Sequence, residues 1–260
     1  YALTQARISR PQLRKTDARI SAEQMETFSA IAMHELDDEA LGWFSRRLPW
    51  GTYGMLCRAS LSSPNLLVAL KRWCRHHNLL TDDLLLEVHS EGNEVRLRIA
   101  ERVPLGAMRE VCLLTILRYV HGYACWLVDS QLPLNEVTFP FPAPAHRAVF
   151  GLLFPGPVRF EADAASMLFD ARYLALVPHR DENALRRMLQ HALPHTVRQY
   201  RRDKLLAERV RAWLFARASD AVSSIEVAKA MGLSVRSLHR HLSSDGTSLQ
   251  TLKTEVRRQR

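Results

Sequence analysis

Cysteine is scarce in this chain: Cys57, Cys74, Cys112 and Cys125 are the only four in 260 residues, and no C-x-x-C pair occurs. So few thiols in so long a chain argue against a disulfide framework and for reduced, buried cysteines in a cytoplasmic protein. Glycine is sparse too, at 10 residues. No Gly-rich phosphate loop and no G-x-S-x-G elbow is present, which removes two common nucleotide-binding and hydrolase signatures. No apolar run approaches the roughly 18 to 20 residues of a membrane span; Val111 to Val120 carries Arg118 and Tyr119 and reads as a core helix. No signal-peptide pattern opens the chain. It begins at Tyr1 rather than Met, and the expectation is that natural residues precede it. No internal repeat or low-complexity tract is visible.

Clusters suited to catalysis or metal binding are also missing. Asp37-Asp38-Glu39 and Asp82-Asp83 are adjacent carboxylates that read as helix-start caps or surface. Glu87 and His89 share one strand face, His121 has no spacing that joins it to them, and no third ligand is identifiable. His76-His77 follow a helix, where they suit its C-terminal dipole. The expectation is no enzyme, no cofactor and no metal.

What is present is apolar residues and positive charge. The apolar fraction, 47%, is that of a globular protein, and the length leaves room for one large domain or two ordinary ones. The net charge of +9 is unevenly distributed. Residues 196–260 hold 14 Lys+Arg against 6 Asp+Glu, while the rest of the chain holds 22 against 21. A near-neutral body therefore carries a basic end. Such a block suits a polyanionic partner, nucleic acid being the commonest, or is simply a solvated, arginine-rich surface.

Residues 1–20 are polar and basic with little periodicity and read as a flexible arm. Ser21 and Gln24 have capping-box spacing, with Met25, Phe28, Ile31 and Leu36 following at helical intervals. Gly51 and Gly54 bracket Tyr53, and Met55-Leu56-Cys57 reads as a strand. A helix follows Ser63-Pro64, through Leu70, Trp73 and Cys74. Leu84–His89 and Glu94–Ile99 make a hairpin across Glu91-Gly92-Asn93. A long helix runs from Leu105 to about Leu132, and four prolines from Pro133 to Pro144 then allow only short strands. From Asp181 the pattern is helical. Leu185, Met188, Leu189 and Ala192 form a stripe that is either intramolecular core or a homodimer contact. A further helix spans about Val197 to Ala216. The domain reading is a flexible arm (1–20), an effector domain (21–180), a helical linker (181–198) and a DNA-binding segment (199–260). The fold class is an α+β effector domain, helices with short antiparallel strands, followed by an all-α helix-turn-helix segment.

Residues 223–242, SSIEVAKAMGLSVRSLHRHL, carry the sharpest signal. Ser223 or Ser224 can cap a short helix whose apolar positions are Ile225, Val227, Ala228 and Met231. Gly232 sits where the chain must reverse, Leu233 plugs the corner, and Ser234 caps a second helix held by Leu238 and Leu242. That leaves Val235, Arg236, Ser237, His239 and Arg240 exposed. Short helix, glycine-bearing turn and a polar, basic second helix is the layout of a helix-turn-helix. A generic helical hairpin shares the caps and the burial but does not need the basic face.

This segment, continued by Asp245-Gly246-Thr247-Ser248-Leu249 and the basic run Glu255–Arg260, resembles the first half of an AraC/XylS-type DNA-binding domain. Upstream, Asp38–Gly42 and Pro49-Trp50-Gly51-Thr52-Tyr53-Gly54 resemble the effector domain of one branch of that family, the branch named after arabinose binding. The resemblance implies a transcriptional regulator that binds double-stranded DNA and an unidentified small-molecule effector. It also implies a second helix-turn-helix unit. The chain ends at Arg260, within the helix that would connect the two, and the expectation is a truncated piece. By match to the motif, Arg236, His239 and Arg240 face the major groove. Candidate effector contacts are Tyr53, Met55, Cys57 and His89 on strands and Trp126 on the long helix, each of which reads more readily as plain core. The effector's identity is not legible, since pockets vary independently of fold. The rival reading is a dimerising protein-interaction module whose partial reader binds no specific operator.

Overall fold

A computed structural model describes residues 1–15, 18–154, 156–190, 203–217 and 222–259. Contacts divide the chain into two compact units. The first takes Tyr1–Val128 and the region from Leu132 to the end of the body; the second takes Asp129–Gln131 and the helical end up to Arg260.

The body opens with two short helices, α1 (Ala2–Gln5) and α2 (Arg10–Leu13), rather than a loose arm. Ala6 and Ile8 are buried, and α1 packs on α3 (Ala22–Leu36). The Ser21–Gln24 capping box forms at the start of α3 as its spacing requires. Next come α4 (Thr52–Leu61), α5 (Leu66–Leu80) and the hairpin β1 (Leu84–Glu91) and β2 (Glu94–Glu101), which turns at Gly92 with φ of 63°. Helix α6 (Arg109–Val128) precedes β3 (Leu134–Thr138), α7 (Ala148–Leu153), β4 (Val158–Arg159), β5 (Ala165–Asp170) and α8 (Glu182–Gln190). The strands form one sheet in the order β1-β2-β5-β3-β4. All pairs are antiparallel except β3 with β4, so the sheet is mixed.

The region read as a strand around Met55 is helical. Three consecutive apolar residues do not distinguish strand from helix by period. The deciding group lies far upstream: the Glu39 carboxylate accepts from Gly51 N at 2.7 Å and Tyr53 N at 2.6 Å, satisfying first-turn donors of α4. Leu56, Cys57 and Ser60 then face the core.

Helix α6 is long and apolar enough by composition to cross a membrane, and it is mostly buried within the body's own core. This differs from the expectation that no run approaches that length: Arg118 interrupts the apolar run, but the flanking apolar residues keep the mean hydropathy high. The cysteines are free and buried. Burial pushes the Cys74 and Cys112 thiols up to about 12, so they behave as small apolar groups.

The second unit has four described helices: α9 (Leu206–Phe215), α10 (Ser224–Ala230), α11 (Val235–Ser244) and α12 (Leu249–Gln259). Their core is Leu206, Val210, Leu214, Val227, Ala228, Leu238, Leu242, Leu249, Leu252 and Val256. An Arg211–Glu255 pair at 2.7 Å links α9 to α12, and Arg217 stacks over Trp213 at 4.2 Å.

Candidate functional site

In the body, the loop between α3 and α4 is organised by buried carboxylates. Asp38 accepts backbone hydrogen bonds from Ala40, Gly42 and Leu48, and Asp83 accepts from Ser45 N and Oγ. Asp38 and Asp83 are thus not the helix-start caps or surface residues that their sequence context suggested, but buried acceptors that hold a loop. The loop closes over two adjoining chambers. The smaller holds about 60 Å³, between Trp43, Phe44, Leu48, Tyr53, Leu56, Trp73, His77, Ile116 and Tyr119 among others. The larger holds about 290 Å³, with Glu26, Ser29, Met33, Trp50, Gly54 and Leu189 in its wall. Glu39, Tyr53 and Tyr119 line both.

The rings interlock. Tyr53 meets Trp73 at 5.7 Å and Tyr119 at 5.1 Å, and Trp73 meets Tyr123 at 4.8 Å. The Tyr123 hydroxyl donates to the Cys57 carbonyl at 2.7 Å and anchors α6 to α4. Burial holds His77 down to about 4, so its imidazole is neutral at pH 7. Burial raises Tyr53 far above the usual phenol range and Tyr119 to about 12. Glu39 is also raised, chiefly by burial, against the lowering effect of the Tyr53 and Gly51 amides, with Asp38 adding repulsion.

Of the five residues proposed from sequence to contact an effector, only Tyr53 lines these chambers, and it does so from a helix. Met55 is on the outer face of α4, Cys57 is fully buried core, and Trp126 is buried under the Arg180 guanidinium at 5.5 Å. His89 is an exposed strand residue facing Glu87 at 3.5 Å. His121 lies apart from that pair, buried and bonded to the Leu132 carbonyl at 2.8 Å. His76-His77 sit inside α5 rather than after it, and His77 turns to the core. Sequence reasoning missed Glu39, Trp43, Phe44, Trp73, His77 and Tyr119. The Trp73–His77 pair, four residues apart on one face of α5, was the usable signal.

Among the described residues, the α8 stripe packs within the body. Leu185 and Met188 are buried in the body, and Leu189 is half-buried against α4. A Cβ at Gly54 would stand 3.1 Å from Leu189 Cδ1, so glycine is what lets the helix approach. Ala192 lies outside the described residues.

In the helical end, α10 and α11 form the expected layout. Ser223 and Glu226 make a reciprocal capping box, and Ser234 Oγ accepts from Ser237 N at 3.1 Å. Between them Gly232 has φ of 69°. Leu238 and Leu242 are fully buried and Ala228 nearly so. Arg236, His239 and Arg240 are exposed on α11 and Ser237 is half-exposed. Two assignments change. Val235 is half-buried and packs on the core, because the first residue of α11 lies beside the turn. Ile225 is 68% exposed rather than inward, since Val227 and Ala228 alone fill the contact from so short a helix.

Comparison with known proteins settles the family. Residues 1–177 match the model of the arabinose-binding domain of AraC transcription regulators, N-terminal. The chain belongs to the AraC family of transcription regulators. Over 233 residues this AraC-family chain is 30% identical to the ornithine utilization regulator of Pseudomonas aeruginosa, covering 89% of this chain and 68% of that one. It also has a loose structural likeness to the crystal structure of the transcriptional regulator CdpR from Pseudomonas aeruginosa. There the identity is 19% and the TM-score 0.43, over 98% of this chain and 80% of that one. The smaller chamber lies inside the family match; α8, which gives Leu189 to the larger chamber, and the paired helices lie beyond it.

Proposed function

We propose that this AraC-family regulator binds double-stranded DNA through α11 and takes a small-molecule effector in the aromatic chambers of its body. The observation that carries the first half is the exposed trio Arg236, His239 and Arg240 on a helix locked at its other face by Leu238 and Leu242. Arginine pairs with the O6 and N7 of guanine, and a capped, rigid helix holds such a side chain in register with the groove. The surrounding basic charge supports backbone contact. The second half rests on a concave, mostly apolar site with few polar groups, the usual form of an effector pocket. The relative that regulates ornithine utilization fits this role of metabolite-responsive control, though pocket chemistry does not follow from family.

The test is selection of duplexes from a random library by the 260-residue chain, followed by titration at several salt concentrations. A regulator prefers its selected site over random duplex by a wide ratio at fixed salt. Equal affinity for both sequences would instead support the interaction-module reading, with only a solvated basic surface.

A further inference from the structure

Three nitrogens in the wall of the smaller chamber have no visible role in the fold. Trp43 Nε1, Trp73 Nε1 and His77 Nδ1 are buried, and none has a hydrogen-bond partner among the described residues. All three side chains line this one chamber. Buried polar groups left unpaired are rare and each costs free energy, so three around one space form a pattern that asks for a partner. Indole N–H groups donate only, and a neutral imidazole adds a third nitrogen of either role. The complement is therefore an acceptor.

Charge narrows the class. Among the described residues, neither chamber has a Lys or Arg in its lining, and Glu39 stands in the wall they share. An ionised carboxylate there would meet a second carboxylate with no cation to balance it. An ammonium head would place a donor against donors. A neutral carbonyl oxygen satisfies the indoles without bringing charge. The remaining lining of the smaller chamber is aromatic and aliphatic, and the larger chamber continues past Tyr53 and Tyr119 with room for more of the molecule.

We propose that the effector is a neutral, largely apolar molecule with a carbonyl-type acceptor that is held in the smaller chamber by Trp43 and Trp73. This rests on the chambers being the effector site. The neutral state of His77 fits the same conclusion, since a protonated imidazole would have favoured an anion.

Four probes of similar size test it on the full chain by titration calorimetry and thermal shift: hexan-2-one, hexanoate, hexylammonium and hexane. Hexan-2-one is expected to bind best. Trp73→Phe and Trp43→Phe keep an aromatic ring but delete one donor each, and each is expected to weaken hexan-2-one about three- to tenfold while changing hexane less than about twofold. Trp43 is only half-buried, so Trp43→Phe remains informative if Trp73→Phe unfolds the body. The ratio of ketone to alkane affinity is the readout that a purely structural role would not move. Preference for hexanoate or hexylammonium, or equal weakening of ketone and alkane, overturns the acceptor assignment and leaves the chambers as the effector site. If no probe binds to a folded chain, both readings fall.

Discussion

The body and the helical end solve the same problem of burial with opposite kinds of contact. In the helical end, the decisive bonds span a few residues: Ser223 with Glu226, Ser234 with Ser237, and Gly232 between them. In the body, Glu39 caps a helix from 12 and 14 residues upstream, Asp83 fixes Ser45 across 38 residues, and Tyr123 ties to Cys57 across 66. The first kind fixes each helix end by bonds within one short window. The second encloses space, and a chamber whose walls come from α3, α4, α5, α6 and α8 can be relined without redrawing any element.

That contrast can be broken most severely at Leu238. Leu238→Asp places an unpaired charge in the small core of the helical end, at a cost of several kcal/mol, roughly 4. Hydrogen exchange read peptide by peptide should show α10 to α12 losing protection while the sheet keeps it. Collapse of protection in both regions would mean that they do not unfold separately.

Acid should pick out the body. His77 and His121 are held near 4 and 3 by burial, below their ordinary value of 6.5. Both sites take up protons more readily when unfolded, so stability falls as pH drops below about 6.5 and is fully lost to this effect only near pH 3. The expected loss is about 3 kcal/mol for His77 and about 5 kcal/mol for His121, appearing as earlier exchange of α5 and α6. His77→Leu should flatten the dependence between pH 6.5 and 4; an unchanged profile would show that His77 is not the group responsible.

Arg240→Ala sharpens the other side of the comparison. At a selected site the loss should be about 1–3 kcal/mol with little change on random duplex, measured by fluorescence anisotropy at constant salt. Uniform weakening, with a salt slope reduced by about one, would make Arg240 a phosphate contact. The smallest effect expected is that of Ser234→Ala, about 1 kcal/mol of helix stability from a lost cap. It should loosen exchange in the first turn of α11 and leave effector-site aromatic fluorescence unchanged.

Legibility followed contact range. The hairpin β1–β2, the capping box at Ser21, the long α6 and the paired helices α10 and α11 were readable because period, cap and turn all lie within one short window. The strand expected at Met55 was not a strand, because its apolar triplet is ambiguous and its cap sits in another loop. Val235 was misplaced because it is the first residue of α11, beside the turn, and Ile225 because the short α10 offers too few apolar positions to fix its rotation. Tyr53 alone among the effector candidates lines the chambers: Tyr53, Met55 and Cys57 were chosen on an expected strand that is a helix, whereas the wall gathers Glu39 from a loop, Trp73 and His77 from α5, and Tyr119 from α6.

The amino-acid sequence by itself determined the two-part plan, the basic helical end and its caps, because helix signals and charge blocks are local and additive. Only the tertiary structure decided where the chambers lie and which of their lining side chains carry unpaired nitrogens. That outcome depends on how distant side chains fill a volume together, and no single stretch of chain encodes the gap they leave.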